Sequence, residues 1–302
     1  MALKAFVSSS RRKLITDDQT GSVFLSDKLL KHSKFNDALT TTLSENQIPY
    51  AYLTNTQDIW CMDYMPIQKD EQTFIQFRYN PDYLKGDQWK PYKTDPLAVT
   101  QHLGIDTLHA DLVFDGGNLI KGKDWIIVTD KVFVENPSRN RKTIVNELEN
   151  LFEAKPIIIP RDPDDFTGHA DGMVRYYNDN TVLINRYRAN DKPAFQKRFK
   201  TALRKEGLHL IEVPYNPYRN ADYDSAVGMY INYLQVKDLV VVPTFGLLED
   251  ELALRQFEDL FPFCDVVGLE SRVIAVQGGV LNCITWNIHQ PMTSGTIHFG
   301  FA

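Results

Sequence analysis

The chain has 302 residues, 43% hydrophobic and 24% charged, which is the balance of a globular protein and not of a disordered one. A net charge of −6 with no basic run argues against nucleic acid or anionic membrane as a main partner, since both need clustered Lys and Arg. No stretch approaches the 18 apolar residues of a membrane span, and the three cysteines, Cys61, Cys264 and Cys283, form neither a disulfide framework nor a metal-type pair.

Residues 1–17 carry Ser8, Ser9 and Ser10 and then Arg11, Arg12 and Lys13, without the apolar core of a secretory signal, so a cytoplasmic location is expected. A helix is expected within 26–46 through Leu29, Leu30, Leu39 and Leu43, and residues 96–103 allow at most a short one. Apolar residues at Ile144, Val145, Leu148, Leu151 and Phe152 predict a helix over 138–153, followed by a buried strand at 157–159. A second short β-branched run covers 182–184. Residues 192–206 then read as a helix, with Asp191 as N-cap, Pro193 in the first turn and Gly207 past the end. The strand at 240–242 and a helix at 249–261 complete the readable elements. No linker or charge block divides them, so a single α/β domain over 1–302 is expected.

Five polar residues stand in apolar or Gly-rich surroundings at similar intervals. They are Asp63, Asp115, Asp171, Asn232 and Cys283, separated by 52, 56, 61 and 51 residues. A repeating ββαβ unit of that size would pack radially and bring corresponding residues to a common centre.

These residues carry a coherent chemistry. Cys283 follows Gly278-Gly279, which allow close approach of backbone or ligand, and a thiol there becomes a nucleophile if a cation or bound substrate lowers its pKa. Taken alone, such a cysteine is more often a buried space-filler, the reading given to Cys61 and Cys264. Cys61, two residues from Asp63, would lie on the same strand. His169 and Asp171 are two residues apart, and on a strand both would face one cavity as acid/base and cation anchor. Asp115 precedes Gly116-Gly117, which alone is also ordinary turn chemistry. Asp63 lies in an apolar stretch, where a buried carboxylate needs a partner. No further His or Cys stands at ligand spacing, so neither a metal nor a cofactor is expected. Together the four sites suit a planar cation: carboxylates fix its plane, sulfur attacks its carbon and an acid/base ferries protons.

The segments Ile59-Trp60-Cys61-Met62-Asp63-Tyr64-Met65-Pro66, Phe114-Asp115-Gly116-Gly117-Asn118, Gly168-His169-Ala170-Asp171 with Arg175, Tyr230-Ile231-Asn232 and Gly278-Gly279-Val280-Leu281-Asn282-Cys283-Ile284-Thr285 resemble the agmatine deiminase and bacterial peptidylarginine deiminase family, in the family's order. The resemblance runs from about residue 55 to Pro291. It implies the pentein fold, a five-bladed α/β propeller, and a hydrolase that turns a cationic small-molecule guanidine into a ureido product and ammonia. It further implies Cys283 as nucleophile, His169 as acid/base, Asp63 and Asp171 as the guanidinium-binding pair, Asp115 in support of histidine and substrate, and Trp60 and Asn232 at the substrate site. Bacterial peptidylarginine deiminases place carboxylate-binding arginines in a similar region of the chain, so the resemblance makes Arg78 the candidate anchor for a carboxylate unless it is a surface charge or pairs with Asp82. The chain departs from the family pattern at Met62 for Arg, Asp115 for Glu and, relative to agmatine deiminases, Asn282 for His. The N-terminal Trp- and Pro-rich segment of agmatine deiminases has no match in residues 1–25.

Two other readings remain open on this scaffold: an amidinotransferase, in which an amine resolves the Cys283 intermediate, and a pentein that only binds. A homodimer is also left open.

Overall fold

The computed structural model describes residues 14–289 apart from 102, 219 and 223; the Ser8 to Lys13 segment and Pro291 lie outside the described residues. β1 (Ser22–Ser26) passes through a short 3-10 segment into α1 (Ser33–Glu45) and then β2 (Tyr50–Leu53), which lies parallel to β1. α2 (Cys61–Tyr64) leads into β3 (Ile67–Gln68), β4 (Phe74–Arg78), α3 (Pro96–Thr100) and β5 (Thr107–Val113). The next unit is β6 (Leu119–Lys121), β7 (Trp125–Thr129), α4 (Lys131–Glu135), α5 (Arg141–Phe152) and β8 (Lys155–Ile159). It is followed by β9 (Val174–Asn178), β10 (Thr181–Asn185), α6 (Pro193–Lys205) and β11 (His209–Val213), and then by β12 (Leu234–Val236), β13 (Leu239–Thr244), α7 (Glu249–Leu260) and β14 (Asp265–Glu270). After α8 (Arg272–Ala275), β15 (Thr285–Ile288) pairs antiparallel with β1, so the two ends of the described chain complete one sheet.

All five three-stranded sheets share one pattern. Their first two strands pair antiparallel, and the second and third pair parallel through a crossover that contains a helix. This is the five-unit α/β propeller of the pentein fold. Middle strands such as β7 and β13 are buried along nearly their whole length, which is why they read as unbroken apolar runs. No helix among the described residues is long and apolar enough to cross a membrane.

The predicted strands at 157–159, 182–184 and 240–242 lie inside β8, β10 and β13, and the predicted helices correspond to α1, α5, α6 and α7. Ile144, Leu148 and Phe152 are fully buried on α5, where truncation of each to Ala would cost about 2–5 kcal/mol. Two local expectations are corrected. Leu30 is half exposed, because residues 27–32 form a 3-10 segment and not the first turns of α1. Asp191 does not cap α6: that position is held by Lys192 at φ 45°, whose ammonium is drawn to Asp162 (2.6 Å) and Asp164 (3.1 Å).

Candidate active site

The five evenly spaced residues occupy corresponding places, each two to four residues before the first strand of its sheet. Neighbouring units are stitched at this centre by the backbone: Met62 N donates to Cys283 O (3.2 Å), Asp171 N to Gly117 O (3.0 Å) and Asn282 N to Asn232 O (3.2 Å). Side chains bridge the remaining joints. Gly117 N donates to Asp63 Oδ1 at 3.1 Å, and Asn232 Nδ2 to Asp171 Oδ2 at 3.1 Å.

Asp63 sits on α2, where Cys61 also lies, so the expectation of a shared strand is corrected; Cys61 Sγ donates to Ile284 O at 2.9 Å. His169 and Asp171 stand on an irregular turn before β9 and not on a strand. Gly168 at φ 65° turns the chain there, and both side chains still reach one cavity. His169 Nδ1 is 3.4 Å from Asp63 Oδ1, and its Nε2–H donates to Asp115 Oδ2 at 2.9 Å. The Asp-Gly-Gly run is a matter of space more than of turn geometry. A Cβ on Gly117 would lie 2.6 Å from Asp63 Oδ1 and 2.7 Å from His169 Nδ1, and one on Gly116 would strike the Met62 carbonyl.

Cys283 Sγ lies 3.4 Å from Asp171 Oδ2, which also accepts from Asn282 Nδ2 at 2.7 Å. Gly279 is bare backbone between this thiol and Trp60: an added Cβ would be 2.7 Å from the indole and 3.0 Å from Sγ. Asn232, expected to touch substrate, spends its amide on its neighbours. Its Oδ1 accepts from Val280 N (3.2 Å) and Cys283 N (3.4 Å), while its Nδ2 holds Asp171.

A cavity of about 780 Å³ opens above this centre. Trp60, Asp63, His169, Asp171, Asn232 and Cys283 line it, with Tyr79, Tyr83, Phe166 and Tyr215 among the aromatic wall residues. Nine aspartates line it in all, from Asp58 to Asp224, and Lys192 is the single Lys or Arg among the described lining residues. Two expected substrate contacts are absent from the lining. Asp115 is fully buried behind His169, so its contact is with the histidine. Arg78 ends β4 on the surface with 61% of its side chain exposed and pairs with Asp111 at 3.3 Å, neither lining the cavity nor meeting Asp82. Arg78→Ala is therefore expected to leave kcat/KM for agmatine and for arginine within about twofold, as an exposed ion pair contributes at most ~1 kcal/mol; parallel kinetics on both substrates check this.

Electrostatics follow from burial and mutual contact. Burial, reinforced by Asp115 and Asp171, pushes the Asp63 carboxyl up to about 7 against the opposing pull of His169. Burial would lower His169, but Asp63 and the hydrogen bond donated to Asp115 outweigh it and raise the imidazole to about 9. Burial, with Asp171 and Asp63 nearby, holds the Cys283 thiol well above its ordinary value. Burial would raise Asp115, yet His169 and Lys131 hold it low as a carboxylate. The site thus favours a protonated histidine and a protonated thiol beside buried carboxyl groups. It is arranged for a cation.

The sequence pointed to the central residues and missed those around them. Asn282 positions Asp171, Tyr83 and Phe166 wall the cavity, and Lys131 and Glu135 stand behind His169. Only the Lys-Glu pair at i, i+4 left a trace in sequence, and such pairs usually mark an exposed helix face.

A family model described as Porphyromonas-type peptidyl-arginine deiminase matches residues 15–290. A Streptococcus mutans protein that carries the provisional name agmatine deiminase is 24% identical over 298 residues, covering 85% of this chain and 80% of that one. The fold is shared with a substrate-bound agmatine deiminase from C. jejuni at TM-score 0.76, with 17% identity over 93% of this chain and 97% of that one. An agmatine deiminase of Enterococcus faecalis superposes at TM-score 0.72 with 18% identity, covering 92% of this chain and 96% of that one. With the family model spanning nearly all the described residues, and with its thiol, histidine and acids gathered at the centre of a pentein propeller, the chain belongs to the Porphyromonas-type peptidyl-arginine deiminase family.

Proposed function

We propose that this protein is a guanidine deiminase that hydrolyses an agmatine-type substrate through a covalent amidino adduct on Cys283. The convergence of Cys283, His169, Asp63 and Asp171 at the floor of one aspartate-lined cavity carries this reading. Asp63 and Asp171 grip the guanidinium from two sides and fix its plane. Burial and the two carboxylates hold the thiol protonated; the bound cation offsets the carboxylates' part, so binding favours the thiolate and the thiol proton passes to solvent. Sγ then attacks the guanidinium carbon. His169 gives its proton to one terminal nitrogen, the C–N bond breaks and ammonia leaves. The neutral imidazole takes a proton from water as its oxygen attacks the adduct, the C–S bond breaks, the departing sulfur takes up the hydroxyl proton, and a neutral ureido product is released. Asp115 orients the imidazole through Nε2 and keeps Nδ1 turned to the reaction, while Asn232 and Asn282 fix Asp171 and the nucleophile loop.

The tail of the substrate is chosen by the same electrostatics. Lys192, the single Lys or Arg among the described lining residues, is already held by Asp162 and Asp164, and aspartates surround the rest of the cavity. A substrate whose far end is an amine is favoured over one ending in a carboxylate. The test is a panel of agmatine, arginine, an arginyl peptide and methylated arginine, with ammonia and ureido product measured together. Agmatine should be turned over fastest, with one ammonia per ureido group. Preference for arginine would remove the assignment of the tail, and loss of guanidine without a ureido product would indicate amidino transfer.

A pH profile follows. For agmatine, kcat/KM should rise as Asp63 ionises near pH 7, since the neutral acid loses its attraction for the cation, and fall above about pH 9 as His169 gives up its proton. Asp63→Asn should lack the acid fall and show the alkaline one at lower pH, since Asp63 no longer supports the imidazolium; a wild-type profile with no break in this interval contradicts both assignments.

A further inference from the structure

Behind His169 lies a set of buried charges that touch neither the cavity nor the thiol. Lys131, the first residue of α4, is 1% exposed. Its ammonium donates to Asp115 Oδ2 at 2.5 Å and to Glu135 Oε1, one turn along the same helix, at 2.7 Å. Asp82 Oδ1 is 3.5 Å away, and the ring of Tyr83 lies 4.9 Å beneath the ammonium. The Asp115 oxygen that receives Lys131 is the one that receives His169 Nε2–H. Asp115 Oδ1 and Glu135 Oε2 are buried with no hydrogen-bond partner among the described residues. As a structural anchor this is a poor arrangement, because well-packed apolar side chains of similar volume are often as stable or more so. What the arrangement does achieve is the division of one oxygen between two cations.

Resting on the reading of His169 as the group that protonates departing ammonia, we propose that Lys131 is a positioning residue for deimination: by sharing Oδ2 of Asp115 it loosens that carboxylate's hold on the imidazolium, so that the proton can pass to the leaving nitrogen. Glu135 is its counterweight, neutralising part of the ammonium and limiting how far the hold is loosened. The other groups facing the imidazole are Asp63 on α2, 3.4 Å from Nδ1, Tyr83, whose ring centre is 5.9 Å away, and Asp165 earlier on the same loop. None of these shares the Nε2 partner. Lys131 opposes the rise of His169 that Asp63 and Asp115 cause, while burial and Asp115 lift Glu135 to about 7 against the pull of Lys131.

The two residues therefore give opposite signs in one experiment. In Lys131→Met the carboxylate serves His169 alone. The alkaline fall in kcat should move up by about one pH unit or more, and ammonia release should slow about tenfold with KM little changed, as the cavity is untouched. Lys131→Arg keeps the charge and should return the fall to its wild-type pH. In Glu135→Gln the ammonium is less neutralised, so the fall should move down and the covalent adduct should accumulate, a weaker base now serving the water step. An NMR titration of His169, assigned by difference from His169→Asn, should follow the same two directions. If Lys131→Met does not fold, the downward shift in Glu135→Gln alone decides. Loss of activity or melting temperature in these variants with the alkaline fall unmoved would overturn the proposal and leave Lys131 a structural residue. A fully active His169→Asn would instead overturn the reading of the site on which it rests.

Discussion

Cys283→Ala is expected to abolish turnover, by on the order of 10⁴-fold or more, because no other thiol lines the cavity among the described residues. The fold should survive, since the change removes one sulfur from a loop held by Asn232 and by backbone bonds to neighbouring units. Cys61→Ala and Cys264→Ala should keep most activity. The first thiol is fully buried and bonded to a carbonyl, and the second lies outside the cavity. The charge of the site adds a sharper expectation for labelling. With Asp171 and Asp63 holding its proton on, the Cys283 thiol should react slowly with neutral iodoacetamide and quickly with a cationic haloacetamidine, which brings the missing charge. Bound substrate should protect it. Equal rates with the two reagents, or an active Cys283→Ala, would remove the thiol from the mechanism.

Asp171→Asn is the second large effect. The amide keeps the shape and, with its oxygen in the Oδ2 place, still accepts from Asn232 and Asn282. What it loses is charge in contact with both the cation and the thiol. Removal of one charge-assisted contact in a buried site costs about 3 kcal/mol or more, which is over a hundredfold in rate. Asp63→Asn should behave similarly, as that carboxylate faces the same cation from the other side and also balances His169 at 3.4 Å. Thermal melting separates function from structure: both variants should melt within a few degrees of the parent while activity falls. A variant that melts far earlier would mark its aspartate as a structural group.

The centre of the molecule was legible because it repeats. Asp63, Asp115, Asp171, Asn232 and Cys283 fall at the same point of five similar units, so a near-constant spacing in sequence becomes proximity in space. The strands were legible where burial on both faces leaves unbroken apolar runs, as in β13. The local geometry of the site was not. The spacing of His169 and Asp171 suggested a strand, whereas a left-handed glycine and a turn bring both into the cavity. Arg78 was misplaced because the resemblance points to a region of the chain and not to whether the end of β4 reaches the cavity. Lys131 was missed for a related reason. Its burial comes from Asp115, which belongs to a different stretch of chain, and a Lys-Glu pair one turn apart gives no sign of that encounter.

Covalent deimination at Cys283 should leave its mark in an intact-mass measurement on protein quenched during turnover of agmatine: an added mass equal to the substrate less one ammonia, located on the peptide that carries Cys283, with free ammonia appearing no later than the adduct. The adduct should be absent in Cys283→Ala and should decay to ureido product when substrate is exhausted. Full turnover of agmatine with no adduct in the wild type or in Glu135→Gln, or an adduct carried by Cys61 or Cys264, would contradict it.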